Sequence, residues 1–382
     1  MRRALSPESS RPLLCPICGK AGMSALSESR TIAHGLTTVA PSIRVSVDPS
    51  PAACEEYVVA HPEGAPYHRP AWMGIIRRTF GHTTRYLVAE SASRVVGVLP
   101  LVLFDTRLFG RFGVSIPFFN YGGALADSQQ AEHALLTSAI EETKRAGGLY
   151  LELRHTRQLF PELAAKRHKV AMMLPLESTS DRQWQTLDRK VRNQVRKAEK
   201  NGLEVQEGGL ELVRGFYTVF ARNMRDLGTP VYGIRLFEEV LSTFPDCSRV
   251  FIVRLAGRPI AASVALWHGT TMEVPWASAI RTFNALCGNM LLYWHMIRFA
   301  IERGFRIFDF GRSTVGGGTF QFKRQWGAEP RPLVWEYWTA DDRQLPDLSP
   351  ANSKFRLAVR AWRYLPVPVA TAIGPLIVRN IP

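Results

Sequence analysis

Two stretches of this chain repeat one another. Arg85–Glu90 and Arg94–Phe104, separated by Ser91-Ala92-Ser93, read as two β-strands joined by a tight turn. Arg249–Leu266 reproduces their length, turn position and apolar pattern, so that Arg94 and Arg258 correspond. A second unit recurs at nearly the same offset. Gly147-Gly-Leu-Tyr-Leu-Glu152 answers Gly304-Phe-Arg-Ile-Phe-Asp309, each a glycine that ends a helix, then a short apolar strand reaching an acid. A chance likeness between two hairpins would not bring the second match with it. The chain is therefore expected to fold as two diverged copies of one α/β unit, each an antiparallel-then-parallel sheet flanked by helices. Its 382 residues suffice for two cores. The copies place them at 41–178 and 179–345, with an N-terminal extension over 1–40 and a basic segment over 346–382.

The extension is rich in Ser, Arg, Pro and Thr without sustained periodicity, and reads as disordered or as a product of start-site choice, with Met23 as the alternative start. Within it, Cys15-Pro-Ile-Cys18 has the spacing of half a zinc ribbon, but no second Cys-x-x-Cys or His pair follows to complete a tetrahedral site, so no resident metal is expected. Five unevenly placed cysteines do not make a disulfide framework, and no leader-like segment or long apolar run stands out; the reading is cytoplasmic. The net charge of +15 is focal: six basic residues against two acidic in Met1–Arg44, seven against three in Asp181–Lys200, five against none in Pro350–Pro382. Such foci call for an anionic partner, whether RNA, an acidic lipid surface or a phosphorylated substrate.

The run Gly304–Gly327 joins a buried strand, a sharp glycine-rich turn and a new helix near Thr319. Asp309 is the one charge in the apolar strand Ile307–Phe310. Gly316-Gly317-Gly318 lets backbone N–H groups approach a ligand without Cβ interference, and Lys323 sits among Phe320, Phe322 and Trp326. Asp309, Arg312 and Lys323 are the candidate catalytic residues, with Ser313 and the three glycines as candidate ligand contacts. The plainer alternative is an ordinary strand–loop–helix corner with Asp309 as a cap and Lys323 in solvent.

Other candidates lie outside this run. Phe118–Ala124 sets aromatic rings beside Asn120, Tyr121 and two glycines, which suits a substrate-lining loop or, equally, a turn packed by its own rings. Gly228–Gly233 presents Tyr232 to a site or to the core, and the strand Thr271–Ala279 carries Trp276. Ser180–Gly202 is expected to be one helix, N-capped by Ser180 and ended by Asn-Gly. Trp184, Leu187, Val191, Val195 and Ala198 share one face, and Arg189, Arg192, Arg196 and Lys200 another. The cationic face is either solvated or, with Lys190 and Asn193, phosphate-binding. Ser353–Leu365 is a basic amphipathic helix that lies on an anionic bilayer or caps the protein's own core.

Taken together, K-x-R-N-x-x-R-K-A-x-K-x-G (Lys190–Gly202), the G-T-P-V-Y turn, F-D-F-G-R-S (Phe308–Ser313) and F-K-x-x-W-G (Phe322–Gly327) resemble the FemAB-like acyltransferases, and more narrowly the branch associated with exosortase, PEP-CTERM and exopolysaccharide systems. The resemblance spans roughly Ile43–Thr339. It implies a tandem pair of GNAT-type, or BioF2-like acetyltransferase, domains and transfer of an amino acid from aminoacyl-tRNA to an amine of a peptidoglycan precursor. Asn284-Ala-Leu-Cys-Gly-Asn289 stands where single-domain GNAT enzymes carry their CoA-binding signature, and no long coiled-coil arm is present. Aminoacyl-tRNA and acyl-CoA both stay open as donor. Transfer to an amine needs a proton acceptor, a held carbonyl and donors for the oxyanion. Asp309 would take the first role, Lys323 and Gly316–Gly318 the last, and Arg312 an anionic group. Lys190, Arg192 and Arg196 would hold donor or acceptor phosphates, and Asn120, Tyr121 and Tyr232 would line the cleft. The rival from another class is a non-catalytic module that holds a glycan or lipid-linked substrate.

Overall fold

The computed structural model describes residues 42–107, 109–342 and 353–382. Cys15 and Cys18 lie outside the described residues. The strands are β1 (Arg44–Val47), β2 (Thr83–Ser91), β3 (Arg94–Thr106), β4 (Gly110–Val114), β5 (Leu125–Ala126), β6 (Tyr150–His155), β7 (Ala164–Pro175), β8 (Leu203–Gly208), β9 (Ser248–Leu255), β10 (Arg258–His268), β11 (Thr271–Ala279), β12 (Ile307–Thr314) and β13 (Glu329–Thr339). The helices are α1 (Pro51–Ala60), α2 (Ala71–Phe80), α3 (Gln129–Arg145), α4 (Ser180–Thr186), α5 (Arg189–Lys200), α6 (Val213–Leu227), α7 (Ile234–Thr243), α8 (Gly288–Glu302), α9 (Gly318–Arg324), α10 (Ser353–Trp362) and α11 (Val367–Val378).

Both predicted hairpins form, β2–β3 and β9–β10, and each copy then runs antiparallel up to one parallel step, β4 beside β6 and β11 beside β12. The register of that step is the same in both. Val114 pairs with Glu152, and Glu273 pairs with Asp309. At the centre the copies exchange their last strands. The sheet runs β1-β2-β3-β4-β6-β13-β7-β12-β11-β10-β9-β8, so β13 completes the first copy against β6 while β7 completes the second against β12.

The prolines in these strands follow the ladder. Pro100 faces Tyr86 in mid-strand rather than marking a bulge or an edge, because β4 and β5 meet β3 only on either side of it and its missing N–H falls in the gap. Pro330 and Pro332 precede the stretch of β13 that pairs with β6, so their open side needs no donor. Strands β4, β7 and β8 have no clear sequence signal. In β7 the run Lys166-Arg-His-Lys169 hides the alternation, since this end of the strand is largely solvent-facing.

One face of the sheet carries an apolar cluster shared by both copies, beneath α2, α6 and α7. Within it the ring of Phe119 lies 4.5 Å from Trp72 and 5.7 Å from Trp276, which in turn lies 5.1 Å from Phe237. Trp276 is thus a core side chain, 5% exposed, and not a cleft wall. The expected single helix Ser180–Asn201 is two helices. Thr179, not Ser180, caps α4 by accepting from the Arg182 N–H, and the chain breaks at Leu187 and Asp188, whose carbonyl accepts the Arg192 N–H and restarts the helix as α5. The break lets Leu187 stay buried with Val191, Val195 and Ala198.

Candidate active site

The parallel step of the second copy buries two acids side by side. Asp309 on β12 is completely buried and Glu273 on β11 is 1% exposed. In the first copy the same step sets Val114 opposite Glu152, and Glu152 is neutralised by Arg154 two residues on, its guanidinium 2.7 Å from the carboxylate. The residue in the second copy that answers Arg154 is Gly311. One copy therefore has an acid with its own cation; the other has two acids and no arginine between them.

Gly311 is required there by shape. The strand bulges between Asp309 and Arg312 relative to β7, Gly311 takes φ +75°, and a Cβ would sit 3.1 Å from the Val274 carbonyl oxygen. The bulge turns the Gly311 N–H onto Asp309 Oδ1 at 2.7 Å, and it aims the carbonyls of Gly311 and Arg312 at Lys323 Nζ, 3.0 and 2.9 Å away. Gly311→Ala is expected to lose about 1–2 kcal/mol from the left-handed backbone alone, measured by chemical denaturation.

Between the acids lies the phenol of Tyr121, its oxygen 3.0 Å from Glu273 Oε2 and 3.1 Å from Asp309 Oδ2. A phenol has one proton. It donates to one carboxyl and accepts from the other, so both contacts are hydrogen bonds only when one acid is protonated. Asp309 Oδ1 accepts from a backbone N–H and Glu273 Oε1 from the Asn120 amide at 3.1 Å, which leaves the Tyr121-facing oxygens for the shared proton. Burial and the charge of Asp309 push Glu273 up to about 8, while burial raises Asp309 to about 6 against the opposing pull of the Gly311 N–H and Lys323. Glu273 thus holds the proton at neutral pH and Asp309 the charge. Burial lowers Lys323 to about 8 despite both acids.

The loop Phe118–Ala124 that carries Asn120 and Tyr121 is tied down from four sides. Arg154 Nη1 donates to the Phe119 carbonyl at 2.8 Å, Trp335 Nε1 to the Asn120 carbonyl at 3.2 Å, the Gly122 N–H to the Arg154 carbonyl at 3.0 Å, and the Ala124 N–H to His155 Nε2 at 2.9 Å. A Cβ on Gly123 would stand 2.0 Å from the His155 ring, so the ring and the loop meet only over glycine. Beside this loop lies a cavity of about 170 Å³, walled in part by Tyr121, Glu273, Arg154, His155 and His68.

On the same stretch of β12, Arg312 lies 5.3 Å over the Trp335 ring, close to Arg154, and Lys169 Nζ donates to Thr314 Oγ1 at 2.6 Å. Ser313 is 4% exposed and its hydroxyl has no partner among the described residues. Tyr232 packs among Phe80, Phe118 and Phe220, with Arg312 and Arg154 as charged neighbours. The structure thus gathers Asp309, Lys323, Asn120 and Tyr121, with Arg312, Ser313 and Tyr232 alongside. It does not bring the glycine turn onto them: the Gly317 N–H is used by the Thr314 carbonyl, and Gly316 and Gly318 are exposed. Lys190, Arg192, Asn193 and Arg196 lie on α5, where no hydrogen bond or ion pair joins them to the acids; Arg196 stacks 5.4 Å over Trp184. Sequence reasoning missed Glu273, Arg154 and Lys169. Glu273 carried the signal used for Asp309, a lone acid in an apolar strand.

These two halves, joined through one sheet, define a tandem GNAT-fold protein. Residues 187–324 match the Acetyltransferase (GNAT) domain family, and no curated protein matches the sequence. Among solved structures, FemX is similar over 77% of this chain and 96% of its own, at 15% identity and a TM-score of 0.61. A conserved protein of unknown function from Bacteroides thetaiotaomicron VPI-5482 is similar over 75% and 97%, at 10% identity and 0.52. FemX thus shares the tandem fold that the FemAB-like resemblance of the motifs implies.

Proposed function

We propose that this protein is an acyltransferase that joins an acyl group to an amine of an anionic cell-envelope acceptor, such as a peptidoglycan precursor or an exopolysaccharide-related molecule, by direct attack. The observation that carries the reading is the buried chain Glu273–Tyr121–Asp309, with Lys323 held close to Asp309 by the Gly311 bulge; Glu273 and Tyr121 line the cavity and Asp309 lies behind them. An amine reaches a protein as ammonium and cannot attack until it loses a proton. Asp309, a carboxylate with an affinity for protons near neutrality, accepts it through the Tyr121 hydroxyl, which reaches the cavity and takes up the amine's proton as it passes its own to Asp309. The amine nitrogen then bonds to the acyl carbon and the carbonyl oxygen becomes an oxyanion. Lys323 spends two N–H groups on backbone carbonyls and keeps a third to donate to that oxygen. As the acyl–oxygen or acyl–sulfur bond breaks, Glu273 gives its proton to the leaving group, and the attacking nitrogen, which still carries one proton more than an amide, returns it to the emptied Glu273 carboxylate. Arg312 and Lys169, with Arg154 behind them, take the acceptor's anionic group.

The donor is an aminoacyl-tRNA or an acyl-CoA. The outward cations of α5, which form no ion pair among the described residues, favour tRNA. Purified protein is incubated with a candidate amine acceptor and, separately, labelled acyl-CoA or charged tRNA. Product with either fixes the donor class, and turnover with neither favours a non-catalytic module that holds glycan or lipid-linked substrate. Arg312→Ala is expected to raise the KM for the acceptor by about tenfold or more with a smaller change in kcat, because a charge-assisted contact is worth about 1.5–3 kcal/mol.

A further inference from the structure

The basic segment after residue 353 forms two helices, and the second, α11, has no charged side chain on any face. Its inner face, Ala370, Gly374 and Val378, is buried, with Gly374 packed on Val231. The segment is fastened to the body as well: Arg225 Nη1 donates to the Leu365 carbonyl at 2.8 Å, and the Arg379 carbonyl lies 2.7 Å from His82 Nε2. The outer face of α11 is left bare. Val369, Ile373, Leu376 and Ile377 are 37–64% exposed and fall at helical spacing, and Leu357 and Tyr364 nearby are more exposed still. These are six of the eleven large apolar side chains found exposed among the described residues. A patch of this kind on one short segment marks a surface that meets something apolar.

We propose that α11 and its approach dock onto an anionic lipid surface, with Leu376 and Ile377 entering the acyl boundary and the arginines reading the headgroups. Charge selects this occupant. Ser353–Pro382 contains Lys354, Arg356, Arg360, Arg363 and Arg379 and no acid, so the segment that carries the bare apolar face is cationic, the composition of an interfacial helix. Depth is bounded by length: α11 has 12 residues, and no described helix is long and apolar enough to cross a membrane. The protein would therefore lie on the surface, held by a face that is exposed among the described residues.

The test is flotation of the full chain with vesicles of phosphatidylcholine alone or mixed with phosphatidylglycerol. Flotation is expected only with the mixed vesicles and should weaken as salt is raised. The double variant Leu376→Glu/Ile377→Glu, at positions already 64% and 40% exposed, should keep the melting curve and lose binding at least tenfold. Arg360→Glu should lose several-fold. No flotation, or variants that float like the wild type, would overturn the proposal. So would a dimer in light scattering that the double variant abolishes, since the face would then be covered by a second copy.

Discussion

Lys323→Ala is expected to lower turnover by about 10²–10³-fold, the usual consequence of removing a donor from a developing oxyanion. The ammonium is pinned by the Gly311 and Arg312 carbonyls, so it meets the reaction already oriented, and burial has brought it down to about 8, where it is easily polarised. Those carbonyls lose a partner in the variant, so its melting curve must be recorded beside its kinetics. Lys323→Met, which keeps an unbranched apolar stem at this buried position, separates lost packing from lost charge. Unaltered turnover in a folded variant would remove Lys323 from the mechanism.

The second large effect is in stability against pH. Asp309 and Glu273 both have folded-state proton affinities above their ordinary values, 3.8 to about 6 and 4.5 to about 8. For an acid raised in this way the fold favours the neutral form. Its contribution to stability is complete below about pH 4 and is lost as pH rises, fully by about 6 for Asp309 and by about 8 for Glu273. The wild type should therefore weaken from about pH 4 to about pH 8, with the part due to Asp309 finished first. Glu273→Gln mimics the protonated acid and should keep the early loss while lacking the later one. A tenfold difference in proton affinity between folded and unfolded chains corresponds to about 1.4 kcal/mol, so above pH 8 the variant should be more stable than the wild type by a few kcal/mol in urea titrations. Asp309→Asn should do the reverse, draw the Glu273 loss to lower pH by removing the neighbouring charge, and lose transfer. Identical pH profiles for wild type and Glu273→Gln would mean the two acids do not share a proton.

Much of this fold was legible because duplication writes the same pattern twice. The hairpins and the helix-glycine-strand units supplied an internal comparison, and Glu152 was correctly set against Asp309. That comparison stopped at the acids. Two residues further it meets Arg154 against Gly311, the exchange that separates a structural ion pair from a pair of acids, and its meaning depends on Glu273 arriving from a neighbouring strand. A one-dimensional pattern cannot show that pairing. Strand β7 was illegible because polar side chains dominate its exposed end, and α11 because Pro366, Pro368 and Pro375 interrupt its apolar run. Yet Pro366 and Pro368 fall at the helix start, where no N–H is needed, leaving only Pro375 inside. The likeness to the exosortase-associated branch rests on the motifs alone.

The strand exchange governs how the chain can be made. When residues up to about 178 have left the ribosome, β6 has no neighbour on its inner side, and none exists until β13 is synthesised more than a hundred residues later. The acid of that strand, Glu152, therefore waits for its final surroundings until the last part of the sheet is translated. Such late, long-range closure favours slow folding, with an unpaired edge at risk of meeting other nascent chains. It also means that neither half, expressed by itself, would own all the strands its sheet requires.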